Sequence, residues 1–169
     1  GAAPARHRRT SLPRLLLGAG TILDAGAASF YLDAGAAFLL SPHQDDGIAE
    51  VCRRRGAVYL PGCGSVTESA RAMPGGAEIG KRVPAGARGG PAFLRDVLGP
   101  LPRARLMPTG GVEPTRENLS GWIAAGAAAI AMGSRLIPKE LLAARDWEGL
   151  SRTVAEVLAI LKALRAGRG

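Results

Sequence analysis

Lys81 sits in the stretch Ala77–Gly90, AEIGKRVPAGARGG, a short apolar run that stops at Pro84 and opens into glycines. The chain has 3 lysines against 19 arginines, so a lysine in such a run is not routine surface decoration. If Ala77–Val83 is a buried strand, its side chains alternate between faces, and Ile79, Lys81 and Val83 share one of them. An ammonium among apolar walls is penalised, its pKa falls, and the free amine becomes available near neutral pH. Such an amine condenses with a ketone to form a Schiff base, an electron sink for breaking the adjacent carbon–carbon bond. The same stretch also fits a lysine at a strand end that lays its stem on apolar surface and keeps its charge in water.

Two turns suggest a second kind of chemistry. Thr109-Gly110-Gly111 and Gly133-Ser134 follow consecutive expected strands. Glycines let backbone amides approach an anion, and each turn leads toward a helix whose free N–H groups and dipole favour negative charge. In a (β/α)8 barrel a phosphate site after the last two strands is the recurring arrangement. Ordinary turn glycines would look the same, and Arg135 either adds charge to the site or is a surface residue. Three other loop residues have chemical side chains. His43, after Ser41-Pro42, is a candidate base. Glu68 is another, although the capping box Ser65-Val66-Thr67-Glu68 accounts for it. Cys63 has no histidine partner in the pattern and reads as a small filler.

The elements that must position these residues alternate regularly. Arg14–Gly18 is a first strand, left through GAGT (Gly18–Thr21), and Asp24 caps a helix to about Asp33 that stops at Gly35. Phe38–Leu40 is a second strand, and a helix from Asp45 or Asp46 runs through Arg55 to Gly56. Ala57–Leu60 is a third strand, and the Ser65 capping box opens a short helix that Pro74 ends. Strand four carries Lys81, and Pro91–Leu98 is helical. Arg105–Met107 is strand five, followed by a helix from about Thr115 to Ala125. Ala127–Met132 is strand six. A short helix near Lys139–Ala143 precedes a long one, Trp147–Leu164, in which Leu150, Val154, Val157, Leu158, Leu161 and Leu164 form one core-facing stripe. Repeated βα units imply a parallel sheet with outer helices, doubly wound or a barrel. In either, loops leaving the C-terminal strand ends form the site. Those loops are GAGT, SPH, PGCGS, PAGARGG, PTGG and GSR.

Composition narrows the class. At 169 residues and 47% hydrophobic content, the chain supports one domain with a real core, built from aliphatic residues because aromatics are only 4%. Residues 1–13 are basic and aperiodic, and the expectation is a mobile tail ahead of a single domain over 14–169. No apolar run approaches the roughly 18–20 residues of a membrane span, and the basic N-terminus lacks the apolar segment of a secretory signal. With only Cys52 and Cys63, the expected compartment is a reducing cytoplasm. The net charge of +8 suits an anionic small substrate. It does not single out nucleic acid, because the arginines are scattered and no aromatics interleave with them as a stacking platform.

Taken together, the ordered motifs resemble the 2-keto-3-deoxy-6-phosphogluconate (KDPG) and 4-hydroxy-2-oxoglutarate (KHG) aldolases. The likeness runs from Leu15 to about Leu164: GAGT at Gly18–Thr21, Ser41-Pro42, K-x-x-P-A at Lys81–Ala85, GGPAFLRDVLGP, PTGGVEPTRENL, and MGS at Met132–Ser134. The resemblance implies a trimeric (β/α)8 class I aldolase that yields pyruvate and glyceraldehyde 3-phosphate without a metal or cofactor. By that likeness Lys81 is the Schiff-base lysine, and Thr21 and Pro42 line the pyruvate end. Thr109, Gly110, Gly111, Gly133 and Ser134 hold the distal phosphate.

The chain also departs from the family pattern. The family has two βα units before its GAGT strand, the second carrying a glutamate that shuttles protons and an arginine that grips the pyruvate carboxylate; here residues 1–13 stand in that place and none is acidic. The expectation is therefore an incomplete barrel of about six parallel strands. Arg82 and Val83 replace the family's usual aromatics, and Arg82 is expected to face outward against the helices. Two other readings fit: a catalytically impaired fragment, whether truncated or mis-started, and a non-catalytic sugar-phosphate binder.

Overall fold

Helices in this chain begin where the sequence offers an oxygen. A computed structural model describes residues 15–73, 79–82, 85–86 and 89–167, with only the backbone of Arg82. Asp24 accepts the Ala27 N–H at 2.7 Å and starts α1 (Ala25–Asp33). Asp45 accepts the Ile48 N–H at 2.8 Å and starts α2 (Asp46–Arg55). Ser65 does the same for α3 (Val66–Ala72), Thr115 for α5 (Arg116–Ala124) and Asp146 for α7 (Trp147–Ala166). Each cap satisfies an amide that the helix cannot. Two helices lack a side-chain cap: α4 (Gly90–Leu98), with Pro91 in its first turn, and α6 (Lys139–Ala143), preceded by Pro138.

The chain divides into two compact units, one ending at Lys81 and the other starting at Arg82. In the first, β1 (Gly18–Ala19), β2 (Phe38–Leu40) and β3 (Val58–Leu60) form a parallel sheet in that order. The register sets Gly18 beside Phe38 and Leu39 beside Tyr59. Ile22, Ala28, Leu39, Ile48, Ala49, Cys52 and Tyr59 are its buried core. Each large aliphatic member contributes about 1.5–3 kcal/mol by burial. Next come β4 (Gly62–Cys63) and β5 (Gly80–Arg82), which are neighbours in a second sheet. In the second unit, β6 (Leu106–Pro108) is buried throughout, and α5 packs against both α4 and α7. Trp122 of α5 is buried, and its indole N–H donates to Asn118 at 3.0 Å.

Several expectations change. Ala127–Met132 is not a strand: Ala131 alone bridges to Thr109. The segment still bonds β6 through Ala128 N–H to Leu106 O at 2.9 Å, but alanine, four of its six residues, has weak strand propensity. A strand not foreseen, Gly62–Cys63, occupies the PGCGS turn. Strand four is described only over Gly80–Arg82, so Val83 and Pro74, like the basic segment 1–13 and the side chain of Arg82, lie outside the described residues. On α7, Val157 is buried, but Leu158 is 61% exposed and leaves the core-facing stripe.

Candidate active site

In parallel sheets the strands' C-terminal ends share one rim, and in the first unit three backbone hydrogen bonds step across it. The Ile22 N–H donates to the Leu40 carbonyl at 3.0 Å, Ser41 to Leu60 at 3.3 Å, and Lys81 to Pro61 at 2.7 Å. They bring Thr21, Ser41-Pro42, Pro61 and Lys81 onto one edge. Lys81 is half-buried, and that burial pushes its pKa below the ordinary lysine value. Thr21, exposed, holds a φ of 59°, a left-handed conformation that is costly for a residue with a Cβ. Pro42 is also exposed, but its carbonyl lies against Gly62: a Cβ at Gly62 would overlap Pro42 O and stand 3.0 Å from the His43 nitrogen. Only glycine lets β4 press so closely on the Pro42 loop.

The two candidate bases line one cleft of about 750 Å³, together with Asp45, Asp46 and Arg71. His43 is exposed. Glu68 makes the capping box: its carboxylate accepts from Gly64 N–H at 2.6 Å and Ser65 Oγ at 3.0 Å, and Ser65 Oγ accepts from Glu68 N–H at 3.2 Å. Cys63 is buried, its thiol 3.7 Å from the Pro61 carbonyl, as a small filler would be.

The glycine turns belong to the second unit. Ala85 N–H donates to Thr109 O and Gly86 N–H to Gly110 O, both at 3.0 Å, while Ala131 N–H donates to Pro108 O at 3.0 Å. These bonds bring Ala85-Gly86, the Thr109 turn and the segment leading to Gly133 side by side. Gly110 and Gly111 have φ of 82° and 73°, and a Cβ at Gly111 would stand 2.6 Å from Gly86 Cα. Among the described residues, the amides of Gly110, Gly111, Gly133 and Ser134 donate to no protein acceptor. Backbone amides of this kind are the raw material of an anion cradle. Arg135, 68% exposed, pairs with Glu113 at 3.3 Å and so links the stretches that follow the two turns.

Composition and spacing missed Gly62 and Tyr59 as site residues. The first stands out only as one glycine of the PGCGS loop, and the second only as the single aromatic in β3.

Comparison with known proteins gives a consistent result. The family profile for KDPG and KHG aldolases matches residues 2–153. A 2-dehydro-3-deoxy-phosphogluconate aldolase of Pseudomonas aeruginosa is 32% identical over 158 residues, covering 94% of this chain and 71% of that protein. Among solved structures, a 4-hydroxy-2-oxoglutarate/2-dehydro-3-deoxyphosphogluconate aldolase is 34% identical with a TM-score of 0.79, covering 95% of this chain and 75% of that one. The KDPG aldolase of Legionella pneumophila, solved with pyruvate captured as a covalent carbinolamine, is 25% identical with a TM-score of 0.79, covering 94% and 75%. The fold class is thus α/β of the (β/α)8 barrel type, in incomplete form.

Proposed function

This chain belongs to the KDPG and KHG aldolase family, and from that premise we propose that it cleaves 2-keto-3-deoxy-6-phosphogluconate to pyruvate and glyceraldehyde 3-phosphate through a Schiff base on Lys81. By family it is a lyase. The observation that carries the reading is a half-buried lysine, its pKa lowered by burial, on the edge it shares with Thr21 and Ser41-Pro42. The uncharged amine adds to the C2 ketone, and loss of water leaves an iminium. A base takes the proton of the C4 hydroxyl, the C3–C4 bond breaks, and its electron pair moves toward the iminium to give an enamine as the aldehyde departs. Protonation at C3 and hydrolysis return pyruvate and the Lys81 amine.

Thr21 and Pro42 line the pyruvate end in this reading. For the proton at the C4 oxygen, His43 on the Pro42 loop is the candidate, since Glu68 is engaged in its helix cap. Thr109 and the amides of Gly110, Gly111, Gly133 and Ser134 support a cradle for the distal anion: a phosphate in KDPG, a carboxylate in 4-hydroxy-2-oxoglutarate. The proposal treats residues 14–169 as one partial barrel domain, since the family match continues across both units. It takes the protein as a cytoplasmic homotrimer, as the resemblance implies. The test is pyruvate release from KDPG followed by a coupled dehydrogenase. Release that Lys81→Ala abolishes supports the reading. No release, with phosphate ligands still raising the melting temperature, favours the sugar-phosphate binder instead.

A further inference from the structure

Tyr59, in the middle of β3, is only 2% exposed, yet its hydroxyl has three polar neighbours. Ser41 Oγ lies 2.7 Å away, the Asp45 N–H donates to it at 3.2 Å, and the His43 carbonyl accepts from it at 3.3 Å. Ser41, fully buried, also donates to the His43 carbonyl. The two hydroxyl protons can satisfy every acceptor: Tyr59 donates to Ser41 Oγ, Ser41 donates to the His43 carbonyl, and Tyr59 Oη accepts from Asp45. Burial raises the Tyr59 pKa, so the hydroxyl keeps its proton. These bonds span the loop from Ser41 to Asp45, and Asp45 is itself the cap of α2. Inside the loop, Pro42 is pressed against Gly62, and the residue before Gly62, Pro61, accepts the Lys81 N–H.

We infer that Tyr59 is a positioning residue for the pyruvate end: its buried hydroxyl fixes the Ser41–Asp45 loop and thereby holds Pro42 in register with the backbone of Lys81. The inference rests on the proposed function, in which Pro42 meets the pyruvate moiety. It makes an asymmetric prediction. Tyr59→Phe keeps the ring's volume but leaves the Asp45 N–H without its acceptor. Ser41→Ala leaves Tyr59 able to accept from Asp45 and donate to His43. A buried group stripped of its partner is the costlier loss.

The experiment compares wild type, Tyr59→Phe and Ser41→Ala in two measurements: hydrogen exchange over residues 42–47, and the pyruvate dependence of borohydride trapping at Lys81. For Tyr59→Phe we expect exchange at Asp45 to quicken about tenfold and half-saturating pyruvate to rise about five- to tenfold, with the saturating rate within about twofold. Ser41→Ala should raise half-saturation about two- to threefold. Unchanged half-saturation in Tyr59→Phe overturns the inference, even if its melting temperature falls, because Tyr59 would then be core alone. An equal or larger effect of Ser41→Ala also overturns it. If Tyr59→Phe proves insoluble, Ser41→Ala decides: the two- to threefold rise supports the inference and no rise overturns it. Absence of a Lys81 adduct in wild type is a separate outcome that overturns the proposed function, and this inference with it.

Discussion

The loops around Pro42 and those around Gly110 hold their shape by different means. The first is fixed by side chains: two buried hydroxyls, of Ser41 and Tyr59, tie down a five-residue loop, and Gly62 of β4 packs against it. The second is fixed by backbone: left-handed glycines at 110 and 111, carbonyls taken by Ala85 and Gly86, and amides that meet no acceptor among the described residues. Its ion pair joins a half-buried Glu113 to an exposed Arg135. The difference matches the proposed ligands. A keto acid that must approach an amine in a defined orientation needs a rigid wall, whereas a phosphate is recognised by converging N–H groups in any orientation that meets its oxygens.

Substitutions can break this comparison at either end. The largest effect belongs to Lys81→Met, which should cut KDPG cleavage by at least about a thousandfold, because it removes the amine whose iminium is the electron sink. Next come two glycine variants with opposite signatures. Gly62→Ala pushes on Pro42 O and should raise half-saturating pyruvate about tenfold or more. Gly111→Ala imposes a positive φ on a Cβ that also meets Gly86, a cost of about 1–2 kcal/mol from conformation alone. It should lower the melting temperature by about 3–8 °C and raise KM for the phosphorylated substrate about tenfold while leaving pyruvate trapping within about twofold. Identical signatures for the two variants would erase the distinction between the loops.

A subtler effect is one of pH. Because the folded pKa of Lys81 lies below its unfolded value, the unfolded chain binds more protons between the two, and wild-type stability climbs with pH across that window. Lys81→Met removes the climb. The variant should be more stable than wild type at neutral pH in urea titrations, with the gap closing as pH approaches about 10.4, the ordinary lysine value. The smallest effect is expected for Glu113→Gln. A partly exposed pair contributes about 0.5 kcal/mol or less, so melting should shift by under about 2 °C. The released Arg135 should lower KM for the phosphorylated substrate by no more than about threefold.

What was legible in the sequence follows the range of the interaction. Asp24 and Ser65 act within three residues of themselves, so their cap patterns suffice to locate a helix start, whereas the adjacent Asp45 and Asp46 offer the same pattern twice and only the fold selects Asp45. Phe38–Leu40 was readable because three bulky apolar residues stand between turn signals. Lys81 announced itself as a charge in an apolar run. By contrast, Gly62–Cys63 is a strand because of its neighbour in the second sheet, Gly80–Arg82, almost twenty residues later, and two small residues carry no trace of that partner. The Tyr59–Ser41 bond spans 18 positions and was equally silent. Leu158 fits the helical spacing of a core stripe, but spacing alone cannot say how wide a face the neighbouring elements cover.

The central claim is that Lys81, and no other lysine, forms the Schiff base. Borohydride reduction of the wild-type protein with pyruvate, followed by peptide mapping, tests it directly, because Lys139 and Lys162 are exposed internal controls. The account predicts a reduced pyruvate adduct on the Lys81 peptide, absent when pyruvate is withheld. No adduct, or one spread evenly over Lys81, Lys139 and Lys162, would contradict it.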